Sequence, residues 1–467
     1  MGRAYDRQGT HVESTRAAPQ AHCQTEIVRS RAAPRGRPSH LESPRESPLH
    51  EDIRIDDLAD PCLPEGFREQ VEALRPMADA LVFEPDVVTD QAIQATGLDD
   101  FGPDGWQIGL EVALRGMRED HELSVTGKLS AYSACVDFLK NRLLVEDRIK
   151  RNPEILDVEL LPPVVIPGLP RSGTTHLHNL LGAAPDFRAL PWWEALEPVL
   201  ADSEKPAAGE EDPRRARAAA GIEARNAVLP HFDAMHEMTV DHVHEEIHLL
   251  GMNFGTMFFE SIGIGALPTY REHYDSIDHT PHYQYLRRIL KLLTWLRGGD
   301  RWVLKSPQHL DQLGPLMEVF PGAFFVFTHR DPVSTVASFA TMISYSSRMS
   351  AANPEPVYLG HYWASRIEDM LRNAVRDREL VPADRSLDVL FHEYMGAELE
   401  TIERIYEKAG LEFGETSRAA IRRYQVEHPR SRFGRVLYDL ADFGLEADEL
   451  RERFRFYTDR FPVRLEH

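Results

Sequence analysis

Val164-Val-Ile-Pro-Gly-Leu-Pro-Arg-Ser-Gly-Thr-Thr-His-Leu-His178 is the stretch on which the fold turns. Its apolar start predicts a short buried strand, its Gly- and Pro-bounded middle a tight turn, and its end the opening of a helix. Within it, Gly168-x4-Gly173-Thr174-Thr175 has the spacing of a phosphate-binding P-loop, whose backbone N–H groups cradle phosphate oxygens. Where a nucleotide-hydrolysing enzyme carries Lys, this chain has Thr174, and its positive charge sits inside the loop at Arg171. A tight strand–helix turn with its glycines kept for packing alone is the other reading of the same residues.

Further apolar runs repeat the pattern at Arg301–Lys305, Ala323–Arg330 and Leu387–Phe391, each followed by a helical stretch. Near-continuous apolar strands alternating with helices predict an α/β fold, a P-loop-type three-layer α/β/α core with a central parallel sheet, over residues 160–467. Ahead of it, Phe67, Val71, Leu74, Met77 and Leu81 recur at helical spacing. Leu110, Ala113, Leu114 and Met117 suggest a second helix and Ser124–Leu144 a third, so residues 65–155 are expected to form an N-terminal helical layer. Residues 1–60, rich in Arg, Pro, Ser and His without a period, predict a disordered tail, with a partner-binding arm as the alternative. Residues 201–225, charged and Ala-rich, predict a solvated helical insertion.

Composition narrows the function classes. The 467 residues carry 75 acidic against 53 basic side chains, a net charge of −22, which argues against general nucleic-acid binding. Against that background the Arg and Lys of the central motifs stand out. Three widely spaced cysteines, Cys23, Cys62 and Cys135, give neither a disulfide framework nor a metal spacing. No apolar run is long enough to span a bilayer and the N-terminus has no secretory pattern, so a cytoplasmic protein is expected. The oligomeric state, a homo-oligomer included, stays open.

Two more constellations carry chemistry. In His329-Arg330-Asp331-Pro332 a charged group ends an apolar strand, where open α/β sheets place ligands, and Ser338 follows eight residues after Arg330. Asp331 suits the cap of the next helix and Pro332 its first position. In Lys305-Ser-Pro-Gln-His309, Lys305 ends another strand and His309 falls in the first helical turn, where the positive dipole end disfavours protonation. A salt-bridging Arg, a solvated Lys and a capping His are the structural alternatives. His244-Glu-Glu-Ile-His248 matches a zinc-protease string, but Glu246 adds a second charge and the flanks lack a buried helical pattern, so no metal site is expected. Trp192, Trp193, Phe254, Phe258 and Phe259 suit either an apolar acceptor pocket or the core.

Taken in order, PRSGTT at 170–175, KSPQHL at 305–310 and HRDP…S at 329–338 resemble the PAPS-dependent sulfotransferases of the bacterial-type branch, PAPS being 3′-phosphoadenosine 5′-phosphosulfate. The resemblance runs over roughly residues 65–465, with Thr96-Gly-Leu-Asp-Asp-Phe-Gly102 and Tyr438-x3-Asp-Phe-Gly-Leu445 included. It implies a sulfuryl transfer from PAPS to a hydroxyl or amine of a small, hydrophobic acceptor, without a metal. It also implies that Arg171, Ser172, Gly173, Thr174 and Thr175 hold the 5′-phosphosulfate, and that Arg330, Ser338 and Arg435 hold the 3′-phosphate. Arg430 and Arg432 compete with Arg435 for that place. His309 is the implied base, with Lys305 and Arg171 stabilising the leaving phosphate; His236 or Glu245 is left open as sharing the base role. The alternatives are a Mg-dependent P-loop phosphotransferase and a non-catalytic nucleotide-binding protein.

Overall fold

The computed structural model describes residues 52–466, apart from 208, 262, 263, 430 and 431. Six strands are present among them: β1 (Asp52–Arg54), β2 (Leu161–Ile166), β3 (Arg301–Lys305), β4 (Phe324–His329), β5 (Ser386–Leu390) and β6 (Arg435–Leu437). Four form one parallel sheet in the order β3-β2-β4-β5. The side chains of this sheet alternate between two cores, as period-two pleating requires. Val165, Trp302, Leu304, Phe325 and Phe327 join the larger core, whereas Val164, Ile166, Val303, Phe324 and Val326 join the other. Both faces are therefore covered, which makes the molecule the three-layer α/β protein its apolar runs predict.

The order of the strands decides where a ligand can sit. β2 lies between β3 and β4, so the chain leaving β2 enters the crevice where connections depart to opposite sides. It turns there into helix α5, defined after α1 (Phe67–Asp79), α2 (Pro85–Thr96), α3 (Gln107–Glu119) and α4 (Val125–Arg151) as Thr174–Gly182. Asp331 caps the helix Pro332–Ser347 by accepting the Val333 N–H at 3.0 Å, with Pro332 at its first position. Ser124 does the same for α4, accepting from Gly127 N–H at 2.9 Å. Within α3 the two glycines have a packing reason, since a Cβ on Gly109 would lie 2.7 Å from that of Phe254.

Several expectations change. The run after Lys305 is a 3₁₀ turn, Pro307–Asp311, broken at Gln312 before a separate helix Leu313–Val319. Ser306 makes no capping bond. Residues 201–225 resolve into the helix Pro213–Val228, capped by Asp212, with Arg214 buried against the Trp193 ring. The N-terminal segment is ordered from Asp52 onward: β1 pairs in parallel with β6, and Ile55 and Leu58 are buried. The remainder of the expected disordered tail, residues 1–51, lies outside the described residues. Cys135 is a buried free thiol, while Cys62 is disulfide-bonded, contrary to the reading of the three cysteines. Among the described residues no helix is long and apolar enough to cross a membrane.

Candidate active site

The loop between β2 and α5 is drawn tightly onto β4. Gly168 bridges to Thr328, and a Cβ there would stand 2.0 Å from Thr328 Oγ1. Ser172 is buried; its hydroxyl donates to the Leu169 carbonyl at 2.7 Å and shares a bond with Thr328 Oγ1 at 2.8 Å. The loop then takes two left-handed residues, Arg171 (φ 66) and Gly173 (φ 86), before α5 starts at Thr174. The N-terminus of α5 thus opens where the loop ends, beside Gly173.

That place is a cavity of about 680 Å³. Its wall includes Arg171, Gly173, Thr174 and Thr175 from the loop, together with Arg330, Glu245 and the apolar Phe232, Met235, Met238, Phe258, Phe339 and Met342. Of the five aromatic residues expected as pocket or core, Trp192 and Phe258 line it, whereas Trp193, Phe254 and Phe259 are buried core.

Lys305, at the end of β3, reaches this wall from behind. Its ammonium donates to Thr175 Oγ1 at 3.2 Å and is paired with the Glu245 carboxylate. Its backbone N–H donates to both oxygens of Glu246 at 3.1 Å. Glu246 is fully buried, and burial pushes its carboxyl pKa up. The same carboxylate meets His309 Nε2 at 3.3 Å, while His309 Nδ1 shares a 2.8 Å bond with the Tyr283 hydroxyl. His309 is itself fully buried and is not part of the cavity wall. Both of its ring nitrogens are occupied by protein partners.

The arginines are arranged around the loop. Arg171 Nε donates to Ser338 Oγ at 3.1 Å, and a second nitrogen donates to the Met235 carbonyl. Burial, reinforced by Arg330, lowers its pKa to about 10, which leaves it a cation at neutral pH. Arg330 donates to the Arg171 carbonyl at 2.6 Å and lies 4.2 Å over the Phe391 ring. Arg435 stands apart: it is exposed, pairs with Asp52 at 2.9 Å and is not on the wall, whereas Arg432 and Gly434 are. Arg430 lies outside the described residues.

Histidines line the rest of the wall, His236, His242, His244 and His248 among them. Burial pushes these four below the usual imidazole range, His242 to about 3 and His248 to about 4, so they are neutral. The His244–His248 string is not one helical turn, because the helix begins only at Ile247; the two rings touch each other, His244 Nε2 to His248 Nδ1 at 3.2 Å, and Trp192 packs on both. Among the described residues no group of three or more potential metal ligands is found. Two functional features escaped the sequence: the grip of Glu246 on the Lys305 backbone, and Glu466 on Arg330, at 2.6 Å from two nitrogens. The adjacent carboxylates Glu245-Glu246 were the available signal for the first.

Comparison with known proteins agrees with this geometry. The model of the Sulfotransferase family matches residues 162–415, from the β2 strand to beyond β5. The crystal structure of sulfotransferase STF1 from Mycobacterium tuberculosis H37Rv is 28% identical, with a TM-score of 0.69 over 79% of this chain and 97% of that one. STF9 from Mycobacterium avium is 26% identical, with a TM-score of 0.72 over 83% of this chain and 99% of its own. A curated relative, the omega-hydroxy-beta-dihydromenaquinone-9 sulfotransferase Stf3 of Mycobacterium bovis, is 24% identical over 277 residues, 57% of this chain and 67% of that protein. A phosphate-type loop without its triphosphate Lys, a lysine presented at the neighbouring strand end, and a family match across both place the chain in the sulfotransferase family, enzymes that transfer sulfur-containing groups.

Proposed function

We propose that this sulfotransferase uses PAPS as donor and a hydroxyl, or an amine, on a small hydrophobic molecule as acceptor. The observation that carries the reading is Lys305 Nζ, buried just behind the cavity wall and held against Thr175 and Glu245, both of which line it. The donor set suits a phosphosulfate: loop N–H groups, two threonine hydroxyls and the Arg171 guanidinium converge without a residue placed for an outer phosphate. When bound, PAPS supplies an activated sulfuryl group on a phosphate leaving group.

The protein's own part is positioning and charge. Arg171 and Lys305 offset the charge that develops on the leaving phosphate oxygen, each such donor being worth about 3–4 kcal/mol of barrier. The Ser172 hydroxyl is engaged by Leu169 and Thr328, so its part is to pin the loop to β4. Arg330 and Ser338 take the second phosphate. Arg435 is too far out on the rim for that role as the side chain stands, so Arg432 and the Gly434 backbone are the C-terminal wall groups that would close over it. The acceptor's proton goes to Glu245, a carboxylate open to the cavity and next to Lys305. His309, locked between Tyr283 and Glu246, is a positioning residue that fixes Glu246 and through it the Lys305 backbone.

For the acceptor, the methionine, phenylalanine and neutral histidine wall suits an apolar body carrying one reactive hydroxyl. The Stf3 relative is named for an omega-hydroxylated menaquinone derivative, a molecule of that kind. The test is a thermal-shift titration with adenosine 3′,5′-bisphosphate, followed by transfer of labelled sulfate from PAPS to hydroxylated isoprenoid acceptors. Stabilisation without Mg²⁺, lost in Arg330→Ala, together with Lys305→Ala inactive, supports the proposal. Stabilisation by ATP with Mg²⁺ and indifference to the bisphosphate would replace it with a phosphotransferase.

A further inference from the structure

The cation assigned above to the second phosphate already holds an anion. Arg330 Nε donates to Glu466 Oε1 at 2.6 Å and a terminal nitrogen donates to Oε2 at 2.6 Å, the parallel fork in which Arg binds carboxylate and phosphate alike. Ser334, one helical turn before Ser338, adds its hydroxyl to Oε2 at 3.2 Å. The backbone around this carboxylate is tethered as well. Glu466 N–H donates to Asp331 Oδ2 at 2.8 Å, and its carbonyl accepts from Arg451 at 3.4 Å. Glu466 therefore arrives at Arg330 from a chain fixed on two sides, with only its side chain needing to turn to leave.

We propose that Glu466 is a built-in competitor for the second phosphate and sets how tightly a nucleotide carrying that phosphate is held. The inference rests on the reading of Arg330 as a phosphate ligand. A fork of two guanidinium nitrogens with a neighbouring hydroxyl is a donor set for two oxygens of one anion, and a carboxylate fills it with a single charge. A phosphate monoester near neutral pH brings more than one charge and a third oxygen, so it can displace the carboxylate. A nucleotide lacking that phosphate leaves the Arg330–Glu466 pair closed and gains nothing from Arg330. The internal contact therefore taxes only a ligand that carries the second phosphate, whereas ATP or AMP leaves the Arg330–Glu466 pair closed and binds without regard to it.

The experiment compares two ligands on the full chain by titration calorimetry: adenosine 3′,5′-bisphosphate and AMP, with wild type, Glu466→Gln and Glu466→Ala. With the competitor removed, the bisphosphate is expected to bind about tenfold tighter or more in both variants, a change of about 1.4 kcal/mol or more, while AMP changes less than about twofold. Unchanged bisphosphate affinity in two folded variants overturns the inference. So does weaker binding, which would make Glu466 a residue that orients Arg330 for the ligand. Equal tightening for AMP and bisphosphate overturns it too, since the gain would then be general electrostatics. Absence of bisphosphate binding in wild type and in both variants removes the nucleotide reading itself, which is distinct from binding that ignores Glu466.

Discussion

Glu245 and His309 illustrate how one atom's access decides a role. Both lie within reach of the Lys305 neighbourhood, but only Glu245 faces the cavity. Glu245→Gln is therefore expected to lower kcat by about 10²–10⁴-fold, the usual range for a general base, and, by leaving the buried Lys305 without its partner, to lower the thermal midpoint as well. His309→Ala instead leaves the buried Glu246 carboxyl short of a partner, and is expected to lower stability by about 1–3 kcal/mol in denaturant unfolding. A Glu245→Gln enzyme within threefold of wild type would return the base role to another group. The spacing Lys305-x3-His309 could not separate these outcomes. A 3₁₀ turn advances three residues per turn where an α-helix advances 3.6, so the face on which His309 lands differs from that of the expected helix.

The wall histidines carry a pH consequence at the same scale. His236, His242, His244 and His248 are each held neutral by burial, with a folded pKa below the usual 6.5. The unfolded chain takes up protons below about pH 6.5 while the folded site does not, so stability is whole above that pH and is lost on acidification. For His242 and His248 the loss continues down toward about 3 and about 4. Each such histidine costs about 1.4 kcal/mol per pH unit within its window. Denaturant midpoints measured from pH 7 to pH 5 should fall, and His242→Asn should flatten that slope.

Among the elements, the loop and the strand ends were legible because their chemistry is local. A short apolar strand, a glycine turn and a capped helix leave marks within a dozen residues, and Asp331 with Pro332 shows this directly. α2 left no such mark: Val88 and Ala92 are its buried residues, too narrow a stripe to show as a period. The close approach of loop and β4 was equally hidden, since Thr328 is remote in sequence. Gly168→Ala would force a Cβ to 2.0 Å from Thr328 Oγ1 and 2.6 Å from Thr174 Cγ2. Overpacking of that kind costs about 1–3 kcal/mol, so a lowered melting temperature and a weakened bisphosphate titration are expected together. Helix Pro356–Asp377 buttresses the neighbouring 3₁₀ turn through the fully buried Arg366, which meets Asp311 at 2.8 Å and Glu260 at 3.1 Å. Such long-range ion pairs were beyond the reach of any spacing argument.

Across the whole molecule, a net charge of −22 coexists with a cavity that gathers Arg171 and Arg330. The rim beside that cavity is tied by the β1–β6 pair, where Asp52 meets Arg435 and Arg54 meets Asp442. Exposed pairs of this type contribute about 0–1 kcal/mol each. Arg435→Ala is accordingly expected to leave the unfolding free energy within about 1 kcal/mol and bisphosphate affinity within about twofold. A tenfold loss of affinity would bring Arg435 back among the phosphate ligands.

The clasp between β1 and β6 joins residues 383 positions apart in the chain. At a synthesis rate of about 5–20 residues per second, roughly 20 to 80 seconds separate the emergence of its two halves from the ribosome. Only late in that interval, once Ser386–Leu390 has emerged, can the phosphate loop and its sheet be assembled while the segment carrying Arg432 and Gly434 does not yet exist. The loop and sheet thus precede that part of the rim, and the strand at Asp52–Arg54 waits for a partner made 383 residues later.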